Sequence, residues 1–263
     1  MHNVFTDFFE SENITVYGEI SAENLQIIQP HLMPEGIKSA IVWLIPYYTG
    51  PHPDRNISLY AVSKDYHLYS RALGKKLCET AKTAFPNDKF YSFCDNSPIN
   101  EIAAAITAEL GVFGKNRLII NETYGSFVFV GCLLSTLGPD APKNEPLKSC
   151  ISCGKCVSVC GFLSGKSDIC KSELNQRKEL TESELASVRS EKIRWGCDIC
   201  QEVCPMNKDV PLTPISFFYE DVIENVTPDM LSDMPKSEFK QRAFAWRGKK
   251  TILRNVSENK EEN

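Results

Sequence analysis

The sequence predicts an α+β or α/β protein: an N-terminal domain of alternating strands and helices, then a small cysteine-rich domain, then a short helical C-terminus. Three observations support this prediction. A continuous apolar run at residues 39–45 has the Ile and Val content of a buried strand. Further apolar strand patterns follow, with helical patterns between them. Eight of the eleven cysteines then fall within residues 150–204.

These eight cysteines form two ordered groups with a single cysteine between them. The first group has the C-x2-C-x2-C-x3-C spacing that binds cubane iron-sulfur clusters in bacterial two-cluster ferredoxins. In that arrangement, three closely spaced thiolates bind one cluster and the fourth binds the other cluster. The second group is one cysteine short, and the single cysteine can complete it. The predicted ligands are Cys150, Cys153, Cys156 and Cys204 for cluster one, and Cys160, Cys170, Cys197 and Cys200 for cluster two.

Disulfides and zinc are the alternatives for these cysteines. The sequence begins without a signal-peptide pattern, and cysteines so close together cannot all form disulfides without strain. C-x2-C pairs also bind zinc, so zinc remains open on spacing alone. The x2, x2, x3 spacing favours two 4Fe-4S clusters. Gly161 stands where proline usually follows the fourth cysteine, a change that removes no ligand.

The composition is that of a globular protein outside the membrane, with 42% hydrophobic and 24% charged residues. The longest apolar runs are too short to cross a bilayer, so we expect a cytoplasmic protein with no membrane partner. The net charge of −5 argues against indiscriminate nucleic-acid binding.

One stretch of the sequence departs from this overall negative charge. Residues 234–256 contain a single acid, Glu238, and form either a phosphate-contacting surface or a solvated helix face. The cations of this stretch are Lys236, Lys240, Arg242, Arg247, Lys249, Lys250 and Arg254. The polar, acidic tail at residues 257–263 is expected to fray.

The N-terminal pattern places a carboxylate at the end of a strand. Residues 57–84 predict one long helix, and residues 89–94 predict a strand that ends at Asp95. Ser97 is a plausible N-cap, with Pro98 as the first residue of a helix that continues to residue 110. Asp95 would therefore face a helix N-terminus, where ligands bind in alternating strand-helix domains.

The remaining patterns complete the predicted organisation. Residues 118–120 and 126–134 predict a hairpin or strand pair. Thr181 and Glu184 have the spacing of a capping box that opens a helix. We expect three consecutive domains, with a Pro-rich boundary between the first two: residues 1–143, 144–210 and 211–263.

Short motifs along nearly the whole chain resemble epoxyqueuosine reductase. The resemblance covers residues 34–255 and includes motifs upstream of the cysteines, which simple electron carriers would not share. The matching motifs are Gly36 to Tyr47, Asp65-Tyr66-His67, Asp95-x2-Pro98, Leu110-Gly111-x2-Gly114-Lys115-Asn116, Gly125-Ser126, Gly196-Cys197-Asp198-x-Cys200-Gln201-x2-Cys204-Pro205-x-Asn207, Phe239-x2-Arg242 and Leu253-Arg254-Asn255.

The resemblance implies a cobalamin-dependent enzyme that reduces the epoxide of epoxyqueuosine in tRNA to the alkene of queuosine. It implies that cobalamin lies in the N-terminal domain beside one of the two 4Fe-4S clusters. Asp95 matches the position of the family's proton donor. The resemblance suggests further cofactor contacts at Tyr60, Lys115, Asn116, Ser126 and Asp198. The expected partners are tRNA, through residues 236–254, and an electron donor such as a ferredoxin or flavodoxin.

Three departures from the family pattern affect the expected substrate. Leu59 and Ile102 stand where the family commonly has arginine. The family's helical-repeat C-terminal domain would follow Asn255, so we expect a short form. Two alternative functions are a corrinoid and iron-sulfur reductase of a small molecule, similar to reductive dehalogenases, and a two-cluster electron carrier that is not an enzyme. We interpret His67 as a structural histidine, and Cys78, Cys94 and Cys132 as small buried hydrophobic residues.

Overall fold

The computed structural model describes residues 1–257, so most of the tail predicted to fray lies outside the described residues. The chain forms two compact units, each assembled from three separate stretches of sequence. Unit 1 contains Met1–Tyr47, His67–Cys153 and Pro205–Ile215. Unit 2 contains Tyr48–Tyr66, Gly154–Cys204 and residues 216–257. The three consecutive domains expected from sequence stay a prediction.

Unit 1 alternates helices and strands along the chain, as the sequence predicts. Helix α2 belongs to this unit from His67 on. Its elements are α1 (Asn3–Ser11), β1 (Tyr17–Ser21), β2 (Ser39–Pro46), α2 (Tyr66–Ala84), β3 (Phe90–Phe93), α3 (Glu101–Thr107), β4 (Val112–Phe113), β5 (Ile119–Ile120) and β6 (Val128–Ser135).

The main sheet of unit 1 has the strand order β1-β2-β6-β3, and every neighbouring pair is antiparallel. Strand β2 lies inside this sheet, where Ser39 pairs with Ser135 and Pro46 pairs with Val128. Every residue of β2 is buried, which confirms the buried strand predicted from its apolar run. Helix α3 packs against the sheet and completes the hydrophobic core around Val42, Leu44, Ala105 and Leu134.

The predicted hairpin of residues 118–134 is wrong, because its two strands belong to different sheets. Strand β5 pairs with β4 in a separate two-stranded sheet, whereas β6 pairs with β2 and β3. Gly111 precedes β4 and permits this pairing. A side-chain carbon at Gly111 would lie 2.7 Å from the carbonyl oxygen of Ile120, so the backbones approach this closely only at glycine.

The single long helix predicted for residues 57–84 is also wrong at its start. Helix α2 begins only at Tyr66. The residues before it form backbone bridges within unit 2, where Ile57 pairs with Trp195 and Lys64 pairs with Arg242. Because these partners are far away in sequence, local helical periodicity could not reveal the pairing.

Helix α3 starts later than predicted because Asn100, and not Ser97, provides its N-cap. The Asn100 side chain accepts a hydrogen bond from the backbone N–H of Ala103 at 3.1 Å. The Ser97 hydroxyl instead accepts the N–H of Ile99 at 3.1 Å, which holds the turn before the helix. Helix α3 also ends at Thr107, three residues before the predicted end.

Unit 2 is helical and has a core of its own, built around Trp195, Leu231, Phe244 and Ile252. The capping box predicted at Thr181 is confirmed, since Thr181 and Glu184 bond reciprocally at the start of a helix. No helix in residues 1–257 has the length and apolar character needed to cross a membrane. The helices are α4 (Lys155–Val159), α5 (Lys171–Gln176), α6 (Glu182–Ser190), α7 (Ile199–Glu202), α8 (Pro228–Asp233), α9 (Lys236–Phe239) and α10 (Lys249–Val256).

Candidate functional site

Asp95 lies in the turn between β3 and α3 of unit 1, in an unusual backbone conformation. Asp95 and Asn96 have φ angles of 55° and 43°, in the left-handed region that few residues other than glycine adopt. Such conformations are held only where the surrounding structure enforces them, and they often mark functional sites. The Asp95 side chain is exposed, and its Oδ2 atom lies 3.3 Å from Nε2 of His67 in α2.

Glu101, the first residue of α3, is a second acid beside Asp95. Its Oε2 atom accepts a hydrogen bond from the backbone N–H of Asp95 at 3.3 Å. Its Oε1 atom is buried and has no hydrogen-bond partner within the described residues. Burial, and then the negative charge of Asp95, raise the pKa of Glu101 to about 7, against smaller lowering effects from the Asp95 N–H and from His67. Glu101 can therefore hold or release a proton near neutral pH.

A cleft of about 360 Å³ in unit 1 brings these acids next to apolar side chains. One part of its wall comes from the turn before α3, and the other comes from β5 and β6. The polar residues that line the cleft include Asp95, Glu101 and Ser126, and the apolar ones include Ile102, Ile119 and Val128. The cleft therefore offers apolar surface for a flat ligand together with acids that can donate protons.

Ser126 is held in this cleft by Asn207, the asparagine that follows the last cysteine motif. The Ser126 backbone N–H donates to Oδ1 of Asn207 at 2.7 Å, and Nδ2 of Asn207 donates to the Ser126 hydroxyl at 2.8 Å. Gly125 makes this contact possible, because a side-chain carbon there would lie 2.2 Å from Oδ1 of Asn207. Asn207 thus fixes the loop that leads into β6.

Asn116 and Lys115 lie in the loop before β5, close in sequence to the cleft wall. Asn116 is buried, and its Oδ1 atom accepts the backbone N–H of Leu118, a residue of the cleft, at 3.3 Å. Its Nδ2 atom is buried and has no partner within residues 1–257. A buried amide without a partner costs free energy unless a ligand or water satisfies it. Asn116 therefore fits a role in holding a polar ligand, whereas Lys115 is exposed.

Asp198 is buried in unit 2 and has several hydrogen-bond donors around its carboxylate. It accepts bonds from the Ser58 hydroxyl at 2.5 Å, the Leu59 N–H at 2.9 Å and the Arg55 guanidinium at 3.3 Å. Arg55 also forms an ion pair with Glu202. Asp198 thus joins the segment before α2 to the start of α7. Its contact with a cofactor stays a prediction.

Tyr60 is also in unit 2, where its hydroxyl accepts a hydrogen bond from Nε1 of Trp195 at 3.1 Å. Burial raises the pKa of Tyr60 well above its ordinary value, so its hydroxyl stays protonated. Gly196 packs beside it in a left-handed conformation, with φ of 73°. A side-chain carbon at Gly196 would lie 2.4 Å from Cβ of Ser58. The predicted cofactor contact of Tyr60 stays a prediction.

The four predicted ligands of cluster two all belong to unit 2, and their grouping around one cluster stays a prediction. Burial raises the pKa of Cys200 to about 12, and the charges of Cys197, Cys160, Cys170 and Cys156 add to this effect. Burial likewise raises the pKa of Cys197 to about 11, with a contribution from Cys170. Bound iron would stabilise these cysteines as thiolates, the form that binds a cluster. The residues present therefore fit a 4Fe-4S cluster.

The predicted ligands of cluster one are divided between the two units, so their grouping stays a prediction. Cys150 and Cys153 belong to unit 1, and Cys156 and Cys204 belong to unit 2. The Cys150 N–H donates to the carbonyl oxygen of Phe113 at 3.0 Å, which extends the β4–β5 sheet. Within residues 1–257, no three His, Cys, Asp or Glu side chains surround a position for a single metal ion.

Two cations of the basic stretch have structural hydrogen bonds within unit 2. Arg242 is almost fully buried and donates to the carbonyl oxygens of Asp221 at 2.6 Å and Val62 at 2.9 Å. Arg254 donates to the carbonyl oxygens of Arg177 and Lys178, both at 2.9 Å. Arg242 is therefore not available to contact phosphates, and Arg254 is only partly exposed. The remaining five, here termed the C-terminal basic surface, are Lys236, Lys240, Arg247, Lys249 and Lys250. Lys249 also donates to the carbonyl oxygens of Ser232 and Met234, at 3.4 and 3.3 Å.

Sequence reasoning missed Glu101. His67 was interpreted as a structural histidine, and its ring contacts Asp95. The sequence signal that could have revealed Glu101 is its closeness to Asp95: the two acids stand at the two ends of one short turn. Of the three remaining cysteines, Cys132 is fully buried as predicted, while Cys78 and Cys94 are only partly buried.

Two protein-family profiles match the chain. A profile described as "Epoxyqueuosine reductase QueG, DUF1730" matches residues 28–96 of unit 1 and the segment before α2. A profile described as "4Fe-4S double cluster binding domain" matches residues 149–207, which contain all eight predicted ligands. The second match decides in favour of iron-sulfur clusters over the zinc alternative.

Curated relatives named epoxyqueuosine reductase align with most of the chain. A protein from Lactococcus garvieae is 31% identical over 211 residues, which cover 73% of this chain and 58% of that protein. A protein from Gloeobacter violaceus is 31% identical over 230 residues, which cover 78% of this chain and 69% of that protein. The chain thus spans little more than half the length of some of these relatives.

Solved structures support the same fold. Epoxyqueuosine reductase from Streptococcus thermophilus superposes with a TM-score of 0.78 at 22% identity, covering 97% of this chain and 80% of that chain. An epoxyqueuosine reductase with a tRNA-Tyr epoxyqueuosine-modified stem loop also has a TM-score of 0.78, at 21% identity. At this identity the structures establish the fold, and the sequence matches establish the relationship. The chain belongs to the epoxyqueuosine reductase family.

Proposed function

We propose that this protein reduces epoxyqueuosine to queuosine in tRNA. The observation that carries the proposal is the pairing of Asp95 and Glu101 in one cleft, with His67 in contact with Asp95, in a chain that has all eight cluster cysteines. Family membership supports the same activity. A tRNA substrate would place the protein in the cytoplasm.

The proposed cofactors are two 4Fe-4S clusters and cobalamin. Eight cysteines provide the proposed cluster ligands, and the effect of Cys197, Cys160, Cys170 and Cys156 on the pKa of Cys200 supports their proximity. For cobalamin, the proposed contacts in unit 1 are Asn116 and Ser126, with Lys115 nearby. The unsatisfied buried Nδ2 of Asn116 and the apolar cleft wall fit a polar-edged, flat macrocycle. For Tyr60 and Asp198, which belong to unit 2, the resemblance alone supports a cofactor contact.

The reaction requires two electrons and two protons, because the epoxide oxygen leaves as water while its two carbons form an alkene. Cobalamin and the clusters supply the electrons when they are bound. The chain supplies the protons, and we assign the first transfer to Asp95. The Asp95 carboxyl is close to His67, and Glu101 receives the N–H of the same residue. Glu101 and His67 are placed to set the charge and the orientation of Asp95.

The proposed partners are tRNA, which carries phosphate charges, and a donor of the electrons that the reaction consumes. A tRNA presents phosphates, and the C-terminal basic surface offers five cations to contact them. A single-electron donor, such as a ferredoxin or flavodoxin, would reduce the clusters. The cluster ligands Cys160 and Cys170 are partly exposed, which gives such a donor an approach to cluster two.

Nucleoside analysis of cellular tRNA tests the proposed function. A strain lacking this gene, and any other epoxyqueuosine reductase, should accumulate epoxyqueuosine, and the wild-type gene should restore queuosine. A gene carrying Asp95→Asn should restore little or none, although its protein should carry the same iron content. Unchanged epoxyqueuosine after expression of the wild-type protein with both cofactors would contradict the proposal and favour a small-molecule reductase or an electron carrier.

A further inference from the structure

Trp246 is an exposed aromatic side chain on unit 2. It lies in a short 3-10 turn, Ala245–Arg247, just before α10. The side chain remains 58% exposed, whereas Trp43 and Trp195 are fully buried. Exposing such a large apolar ring to water is unfavourable, and aromatic side chains in this position commonly contact a partner.

The guanidinium of Arg247 stacks on the ring of Trp246. Its Cζ atom lies 3.9 Å from the ring centroid, a close cation–π contact. Its Nε atom is buried and has no hydrogen-bond partner within the described residues. The stack orients the indole ring, and a positive charge therefore lies directly against an exposed aromatic surface.

The cations of the C-terminal basic surface have no acidic partners among the described residues. Within residues 1–257, none of the five cations of the C-terminal basic surface forms an ion pair, although ion pairs occur elsewhere in unit 2. Lys249 and Lys250 also lie in the first turn of α10, where the helix dipole disfavours positive charge. These charges therefore produce a positive potential that an external polyanion can neutralise.

An exposed aromatic ring within a cluster of unpaired cations is the combination that binds single-stranded nucleic acid. The ring stacks on an unpaired base, and the cations contact the flanking phosphates. A protein partner would need apolar surface around the ring, whereas the residues that follow Trp246 are Arg247, Gly248, Lys249 and Lys250. A paired RNA helix would use the cations but would leave no base free to stack.

We propose that Trp246 is a stacking platform for an unpaired base of the tRNA anticodon loop, with the C-terminal basic surface contacting the adjacent phosphates. This inference rests on the proposed function, because it takes tRNA as the substrate. The charges of this region explain contacts with phosphates only, and Trp246 would add a contact with a base.

Intrinsic fluorescence tests the proposal on the full-length protein with its clusters, because Trp246 is the exposed member of the three tryptophans. An anticodon stem-loop RNA should quench the emission of Trp246 on binding. A fully paired RNA of equal charge should bind more weakly and quench less. Trp246→Ala should weaken stem-loop binding about tenfold, whereas Trp246→Phe should keep most of the affinity. Lys250→Gln should reduce the salt dependence by about 0.7 in the log–log slope.

Leu212→Ala is the matched control, because Leu212 is a comparably exposed apolar residue outside the basic surface. Equal binding of stem-loop RNA by wild type and Trp246→Ala would contradict the proposed stacking of a base on Trp246, even if the protein still reduces epoxyqueuosine. Self-association of the wild type that Trp246→Ala abolishes would also overturn it, in favour of a protein contact. Absence of tRNA binding by the wild type would instead contradict the proposed tRNA substrate as well.

Discussion

The backbone N–H of Asp95 donates a hydrogen bond to the carboxylate of Glu101, so two acids are tied together at the turn between β3 and α3. The exposed Asp95 side chain can reach a ligand, while Glu101 is more deeply buried. Burial and the nearby charge hold the pKa of Glu101 at about 7. The stability of the protein should therefore depend on the protonation of Glu101.

Glu101→Gln should stabilise the protein at high pH and change little at low pH. In the unfolded chain, Glu101 ionises near its ordinary pKa of 4.5, whereas in the folded chain it ionises near 7. Below pH 4.5 both states carry the proton. As pH rises from about 4.5 to 7, only the unfolded state loses it, so the wild type loses stability that the Gln variant keeps. The expected gain at pH 8 is on the order of 2 kcal/mol.

Urea unfolding at pH 5 and pH 8 measures this difference. The groups that face Glu101 are Asp95, His67 and Cys132, and the Gln variant leaves all three in place. Glu122→Gln is the control, because Glu122 is exposed on the same unit and should show no such dependence. An equal effect of Glu101→Gln at both pH values would contradict the raised pKa.

Cys200→Ser should remove cluster two and leave cluster one. Two 4Fe-4S clusters give about eight irons per chain, so the variant should retain about four. Cys200 lies among Cys160, Cys170 and Cys197, and serine cannot replace its thiolate as an equivalent ligand. Iron and sulfide assays after anaerobic reconstitution measure the loss.

Cys78→Ser provides the comparison for this experiment. Cys78 is partly buried in unit 1 and is not among the predicted ligands. Its serine variant should keep the full iron content. Retention of about eight irons by Cys200→Ser, or stoichiometric zinc in the wild type, would show that the assignment of the ligands is wrong.

Gly131→Ala should destabilise unit 1 by about 1–3 kcal/mol, because it overpacks the core. Gly131 pairs with Trp43 across β2 and β6. A side-chain carbon at Gly131 would lie 2.4 Å from Cε2 of Trp43, whose ring is fully buried and cannot move away easily. Chemical denaturation should show the loss. Gly138→Ala, where no atom lies within 4 Å, should be close to neutral, and equal effects of the two substitutions would refute this explanation.

Features that depend on local sequence were predictable. The apolar run of β2 and the reciprocal bonds of Thr181 and Glu184 follow from residues that are neighbours in the chain. The cysteine spacing likewise predicts the cluster domain that the family profile matches.

Features that depend on distant partners were not predictable in the same way. The helix predicted from residue 57 fails because Lys64 pairs with Arg242, far along the chain. Asn207 holds Ser126 from 81 positions away. Arg242 is buried, and it donates to the carbonyl oxygens of Asp221 and Val62. Counting the cations in the sequence therefore gave too large a number of exposed cations in the basic stretch.

The most direct test of the proposed function is a reduction assay with the purified protein. The protein, reconstituted with clusters and cobalamin and supplied with a low-potential reductant, is incubated without oxygen with tRNA that carries epoxyqueuosine. Nucleoside mass spectrometry should show conversion to queuosine, and Asp95→Asn with the same cofactor content should be slower by about 10²–10⁴-fold. Epoxyqueuosine that remains unchanged with the loaded wild type, or equal rates for the two proteins, would contradict the account.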